Sequence, residues 1–121
     1  MENNTEAWVL RIFIGSTDQV HQSPVYEYNV LQAKKKGIAG ATVTKGIMGF
    51  GASSVIHSYK FWEVSDKVPL VVELVDEEEI IRSFYEILRP QLEEMKYGCL
   101  VTMEKVNVLL YKSGHKKMFD V

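Results

Sequence analysis

The chain has 121 residues, 46% of them hydrophobic and 11% aromatic, with a formal net charge of −2. That length and composition fit one packed domain and exclude a disordered chain. The charge provides no global attraction to nucleic acid or to an anionic membrane. No apolar run approaches the roughly 20 residues that span a bilayer, so no direct membrane insertion is expected. The opening Met1-Glu2-Asn3-Asn4-Thr5-Glu6 is polar rather than signal-like, and Cys99 is the lone cysteine, which excludes an intrachain disulfide. These features predict a reduced, cytoplasmic, single domain over residues 1–121, with short flexible tails at 1–6 and 113–121.

The first element is the apolar run Trp8-Val9-Leu10-Arg11-Ile12-Phe13-Ile14, ended by Gly15, which reads as a buried strand. Ser23-Pro24 reads as an N-cap followed by proline at the first helical position. Tyr26, Val30 and Ala33 then share one helical face. Lys34-Lys35-Lys36 sit in the last turn, at the negative end of the helix dipole, and Gly37 stands at the C-terminal cap. Ala41 to Ile47 reads as the second strand, and a glycine-rich loop follows it. His57 to Val64, with Phe61 and Trp62, reads as the first part of a third strand. Lys67 and Pro69 interrupt that strand, and Leu70-Val71-Val72-Glu73-Leu74-Val75 resumes it.

Asp76 is expected to cap the second helix, with Glu77 to Glu79 in its first turn and Glu79 completing a capping box. Ile81, Phe84, Tyr85, Leu88, Leu92 and Met95 recur at spacings of three and four and form its core-facing stripe. Pro90 inside that pattern predicts a kink or a restart, and Gly98 the end. Leu100 to Tyr111 reads as the last strand, long enough for a bulge near Glu104-Lys105.

The order is β-α-β-β-α-β, which predicts an α+β, ferredoxin-like sandwich. Two helices cover only one face of a four-stranded sheet. Yet along the first strand Trp8, Leu10, Ile12 and Ile14 point one way and Val9, Arg11 and Phe13 the other. On the third strand Leu70, Val72 and Leu74 oppose Val71, Glu73 and Val75. Both faces are substantially apolar, and an open apolar face of that size predicts an oligomer whose subunits cover it.

Five of the eight glycines fall between Gly37 and His57. Gly46-Ile47-Met48-Gly49-Phe50-Gly51 matches neither phosphate-loop nor dinucleotide fingerprint, since no Lys-Ser/Thr follows and Ser54 stands at the third glycine. Two readings stay open. One is a plain connection between antiparallel strands. The other is an anion-binding nest of glycine amides, with Lys45, Ser53, Ser54 and His57 as polar partners. His21, His57 and His115 show no metal-ligand spacing. Ser53 or Ser54 with His57 could form a nucleophile and base. They lack a nucleophile elbow and an orienting acid, so the chain reads as a non-enzyme. Phe13, Phe61 and Trp62 lack the pattern of an RNA-binding sheet, and no nucleic-acid partner is expected.

Gly37-Ile38-Ala39-Gly40-Ala41-Thr42-Val43-Thr44 followed by Gly49-Phe50-Gly51 resembles the PII nitrogen-regulatory signalling proteins, in which such a segment leads into the base of a T-loop. Leu70 to Asp76 is similar to the PII strand before the second helix. Closer still is an uncharacterised PII-like family that shares Gly40 to Val43, Gly49 to His57 and Leu100 to Val106; the likeness runs from Trp8 to Tyr111. The resemblance implies a homotrimer with sheets facing the three-fold centre. It implies a regulatory rather than catalytic role and an adenine nucleotide in clefts between subunits. It also implies a loop that engages a partner. Some members of the closer family are encoded beside, or fused to, membrane channels for fluoride export, which implies a channel or transporter partner. Thr42 matches a PII threonine near the nucleotide base, Gly49 and Gly51 match the T-loop base, and Lys112 falls where PII has a phosphate-contacting arginine.

The departures concern cations. Ala52 follows Gly-Phe-Gly where PII has an arginine, and Leu110 aligns with a second phosphate-binding arginine. Lys96-Tyr97-Gly98-Cys99 replaces a glycine-rich phosphate loop, and the loop from Ala52 to about Tyr59 is shorter than a T-loop. Fewer cations mean fewer charge-assisted bonds to phosphate. A smaller or less charged adenine ligand, or none, fits equally with these residues. The alternative from another class is a metal-binding trimer resembling the copper-tolerance proteins of the same fold, with His57 as its candidate ligand.

Overall fold

Thr5–Gly15 form β1, which carries apolar side chains on both faces and lies in the middle of the sheet. The computed structural model describes residues 1–51, the backbone of 57–58, and residues 67–114. After β1 come β2 (Gln19–Val20), β3 (Ser23–Pro24), α1 (Val25–Lys35), β4 (Gly40–Lys45), β5 (Met48–Gly49) and β6 (His57–Ser58). The chain continues with β7 (Pro69–Asp76), α2 (Glu78–Glu94) and β8 (Leu100–Val108). The main sheet has the order β4-β7-β1-β8, and β2-β3 and β5-β6 form two small ribbons beside it. All three ladders of the main sheet are antiparallel. With its two helices this is the expected α+β, ferredoxin-like fold. Thr5 and Glu6, expected in a flexible tail, belong to β1.

The strand limits differ from the sequence expectation at several points. β4 ends at Lys45 and β8 at Val108, short of the expected Ile47 and Tyr111. The third main strand starts at Pro69, where a missing N–H costs the ladder nothing at a strand's first residue. His57 and Ser58 pair instead with Gly49 and Met48, so the expected long strand is divided. Residues 59–64 of it, Phe61 and Trp62 included, lie outside the described residues. The expected bulge in β8 is absent, since Thr5 to Phe13 of β1 pair one for one with Val108 to Leu100. The charges at 104 and 105 need no bulge, because Glu104 meets Arg11 at 2.8 Å and Lys105 meets Glu6 at 3.4 Å.

The helix starts are each shifted by one residue. Ser23-Pro24 pairs with Gln19-Val20, so Pro24 is the N-cap of α1 and Ser23 makes no cap. The buried face is Val25, Asn29 and Ala33, with Tyr26 and Val30 partly buried at its margins. At the other end Gly37 has φ +74, its N–H donates to Lys34 O (3.2 Å) and the N–H of Ile38 donates to Ala33 O (3.0 Å). That pair of bonds is a Schellman cap, and a positive φ there suits glycine. Glu77, not Asp76, is the N-cap of α2, and no side chain caps it. Asp76 closes β7 instead. Its Oδ1 accepts the N–H of Glu77 (2.7 Å) and its Oδ2 that of Ala39 (2.9 Å), which ties the exit of α1 to the entry of α2. α2 runs through Pro90 without a restart and ends at Glu94, before the expected Gly98.

The core lies between the helices and one sheet face. Leu10, Ile12 and Ile14 of β1 and Leu70, Val72 and Leu74 of β7 meet Val25 and Ala33 of α1 and Ile81, Phe84, Leu88 and Leu92 of α2. Tyr85 and Met95, also assigned to the stripe, are partly buried against this cluster. At the far end of the sheet Tyr111 donates its N–H to Asn3 Oδ1 (2.7 Å) and its hydroxyl to Ala39 O (3.2 Å). Phe84→Ala should lower stability by about 3–5 kcal/mol through lost burial and a cavity. Gly37→Ala should lower it by about 1–2 kcal/mol through left-handed backbone strain. Urea denaturation of each variant against the native chain measures both.

Candidate functional site

The glycine-rich turn, the turn after β1, the start of β7 and the approach to β8 converge at one end of the sheet. They enclose a cavity of about 300 Å³. Its apolar wall includes Phe13, Met48, Phe50, Leu70, Val71 and Cys99, and Gly46, Gly49 and Gly51 form its rim. Antiparallel pairing explains the convergence, since Gly15 of β1 faces Pro69 of β7 and Lys45 of β4 faces Leu70. The N–H of Gly46 donates to Pro69 O at 2.7 Å, and an added Cβ at Gly46 would lie 3.0 Å from the Pro69 ring. The glycine turn therefore sits flat against the start of β7.

The polar part of the cavity is built by Asp18 and Lys67. Asp18 is 3% exposed. Its Oδ2 accepts the N–H of Gly15 at 2.8 Å, and its backbone N–H returns to Gly15 O at 3.2 Å. Its Oδ1 takes no hydrogen bond of good geometry, but it lies 2.5 Å from Nζ of Lys67 as an ion pair. The Lys67 ammonium also stands 4.1 Å above the centre of the Tyr97 ring. The lysine stem crosses Gly15 so closely that an added Cβ would fall 1.9 Å from Cε. Next to it, Ser16 and Val68 exchange two bonds, Ser16 N–H to Val68 O (2.8 Å) and Val68 N–H to Ser16 Oγ (2.9 Å). Burial, and secondarily the charge of Asp18, push the Cys99 thiol above its ordinary value of 9.0.

The structure brings together part of the set chosen from sequence. Gly49 and Gly51 line the cavity, while Lys45, at the end of β4, is exposed and does not. Thr42 lies in mid-β4 on the helix-free face, opposite Glu73. Lys112 follows Tyr111 at the opposite end of the sheet, so within one chain it does not share the site. Ser53 and Ser54 fall outside the described residues, and of His57 only the backbone, paired with Gly49, is described. Phe13, Asp18, Lys67 and Cys99 join the site without a sequence expectation that places them there. Lys67 reads from sequence only as a strand interruption, and the signal for Asp18 is a polar Gly-Ser-Thr-Asp turn directly after a buried strand.

The helix-free face has a charged centre. Arg11 donates to Glu104 at 2.8 Å and to Glu73 at 3.1 Å, and these bonds, that to Glu104 first, raise its pKa. Around this centre lie Val9, Val75, Phe13, Val71 and Leu100.

A four-stranded antiparallel sheet of this order, with two helices on one face and a glycine-rich turn at its end, is the ferredoxin-like fold that PII-like proteins share. The chain belongs to the DUF190 family, whose model, described as "Uncharacterized ACR, COG1993", matches residues 7–108. A UPF0166 protein of Aquifex aeolicus is 36% identical over 101 residues, covering 84% of this chain and 91% of the relative. A UPF0166 protein of Methanocaldococcus jannaschii is 31% identical over 88 residues, covering 69% and 81%. Among solved structures, CPII from Thiomonas intermedia K12 is a nitrogen regulatory PII-like protein bound to ADP, AMP and bicarbonate. It superposes with a TM-score of 0.65 at 16% identity, over 88% of this chain and 91% of that one. A candidate PII-like signaling protein from Thermus thermophilus gives 0.61 at 19% identity, over 89% and 94%. At these identities the likeness to solved structures is one of fold.

Lys67→Met should strand the buried Asp18 carboxylate and lower stability by about 3–5 kcal/mol in urea denaturation. For Cys99, the folded chain holds the thiol proton more tightly than the unfolded chain. Its contribution to stability is therefore present below the unfolded pKa and lost as pH rises through it towards the folded value. Iodoacetamide should alkylate the folded protein more slowly than the urea-unfolded chain at pH 8. The pH midpoint of the folded rate should lie above 9.0.

Proposed function

We propose that the chain is a regulatory, non-catalytic subunit of a homotrimer that binds an adenine nucleotide in intersubunit clefts at the glycine-rich turn and acts on a partner through the glycine-rich loop. The observation that carries this reading is the cavity of about 300 Å³ framed by Gly49 and Gly51 on one side and Lys67 and Pro69 on the other. The fold likeness to CPII, a protein solved with ADP and AMP bound, supports the choice of nucleotide.

The trimer is supported by the helix-free face, where Phe13, Val71 and Leu100 surround the Arg11 pair on a surface that no helix of the same chain covers. On this reading Gly49 and Gly51 present backbone to the ligand, and Thr42, Lys45, Ser53, Ser54, His57 and Lys112 supply polar contacts from one copy or the next. The proposed partner is a membrane channel or transporter met from the cytoplasm. Among the described residues no helix is long and apolar enough to cross a membrane. Among the same residues no group of three or more His, Cys, Asp or Glu could hold a metal, and no observation favours the metal-binding alternative.

Light scattering coupled to gel filtration should return three times the 13.8 kDa chain mass at micromolar concentration, and a monomer would refute the assembly and its shared site together. Thermal unfolding with AMP, ADP or ATP at 100 times Kd should show about 2.7 kcal/mol of added stability for at least one of them.

A further inference from the structure

We infer that the cavity selects a nucleotide of low charge, a nucleoside monophosphate over the corresponding triphosphate. The inference rests on the nucleotide reading above and deepens it by naming the ligand class. It follows from what the wall contains.

Two charged side chains line the cavity among the described residues, Lys67 and Asp18, and they are bound to each other at 2.5 Å. The described part of the lining is therefore formally neutral. The Lys67 ammonium is already shared between the carboxylate and the Tyr97 ring. The Asp18 carboxylate is 3% exposed and held by the N–H of Gly15, so it cannot swing out of the way of an anion. A polyphosphate entering this space would find no net positive charge on the described lining to offset its own, and the Asp18 carboxylate already holds the Lys67 ammonium that would otherwise pair with it. The N–H of Gly46, one of the rim glycines, is committed to Pro69 O and is not offered to a phosphate.

The remainder of the wall suits a flat apolar body. Phe13, Met48, Phe50, Leu70, Val71 and Cys99 present rings, a thioether, aliphatic groups and a thiol, all compatible with stacking or edge contact to a base. The volume, about 300 Å³, stands at the lower end of the range for small-molecule sites, of order 300–1,000 Å³, and so favours a ligand of nucleoside size.

The test is a titration series on the full chain by isothermal calorimetry, with adenosine, AMP, ADP and ATP in magnesium-free buffer of constant ionic strength. AMP should bind at least tenfold more tightly than ATP, with ADP between them. ATP binding as tightly as AMP, or more tightly, would overturn the inference while leaving the nucleotide reading in place. Saturation by none of the four would reject the nucleotide reading itself. Asp18→Asn keeps an acceptor for the N–H of Gly15 and removes the negative charge, so it should narrow the AMP-over-ATP ratio at least threefold. An unchanged ratio in a folded Asp18→Asn protein, checked by circular dichroism, would also overturn the inference, because the fixed carboxylate would then not set the preference.

Discussion

Everything in this fold is arranged around β1, which is bonded along both edges and apolar on both faces. Such a strand is stable only when both neighbours and both faces are provided for. β7 and β8 supply the neighbours, and α1 and α2 supply one face. The other face is left to a patch of valine, phenylalanine and leucine with one guanidinium and two carboxylates at its centre. A single arginine between two glutamates does more than neutralise one of them. It joins side chains of three neighbouring strands, Arg11 of β1, Glu73 of β7 and Glu104 of β8. On the proposed trimer that network would become an inward-facing polar centre, satisfied within each chain before assembly, so that association would not have to desolvate an unpaired charge.

The same strand order sets where a ligand can go. Because β1, β7 and β4 are antiparallel, the end of β1, the start of β7 and the end of β4 fall at one level. Three turns must then share a small volume. An added Cβ at Gly15 would fall on the Lys67 stem and displace it, and one at Gly46 would crowd the Pro69 ring. The Asp18–Lys67 pair fastens the turn after β1 to the start of β7. What is left between the turns is the cavity. It is thus a consequence of the strand register and of two close approaches, rather than a separate invention of the loop.

Much of this is readable from sequence, for reasons that differ element by element. The stripe of α2 announces itself because Ile81, Phe84, Leu88 and Leu92 repeat with the helical period, and all are buried. Gly37 is legible because a left-handed cap after a lysine-rich last turn favours glycine. The helix starts are displaced because Ser23 and Asp76 are common capping residues that here have other obligations. Ser23 pairs in a ribbon, and Asp76 bonds the N–H of Ala39. The bulge expected in β8 rests on the length of the strand, yet the ladder is regular from Leu100 to Val108, and Glu104 and Lys105 each find a partner across it. The site is half legible. Gly49 and Gly51 stand out as local signals. Asp18 and Lys67 do not, because their pairing joins residues far apart in sequence and nothing in either neighbourhood advertises it.

That long-range pair also connects the cavity to the rest of the proposed function. Gly49 and Gly51 line one side of the cavity and Lys67 and Pro69 the other, and the strands behind them are held by the β1–β7 and β4–β7 ladders. Occupancy at a neutral, mostly apolar wall would be transmitted by packing and by the Lys67 stem across Gly15, with less dependence on salt than a site built from exposed cations.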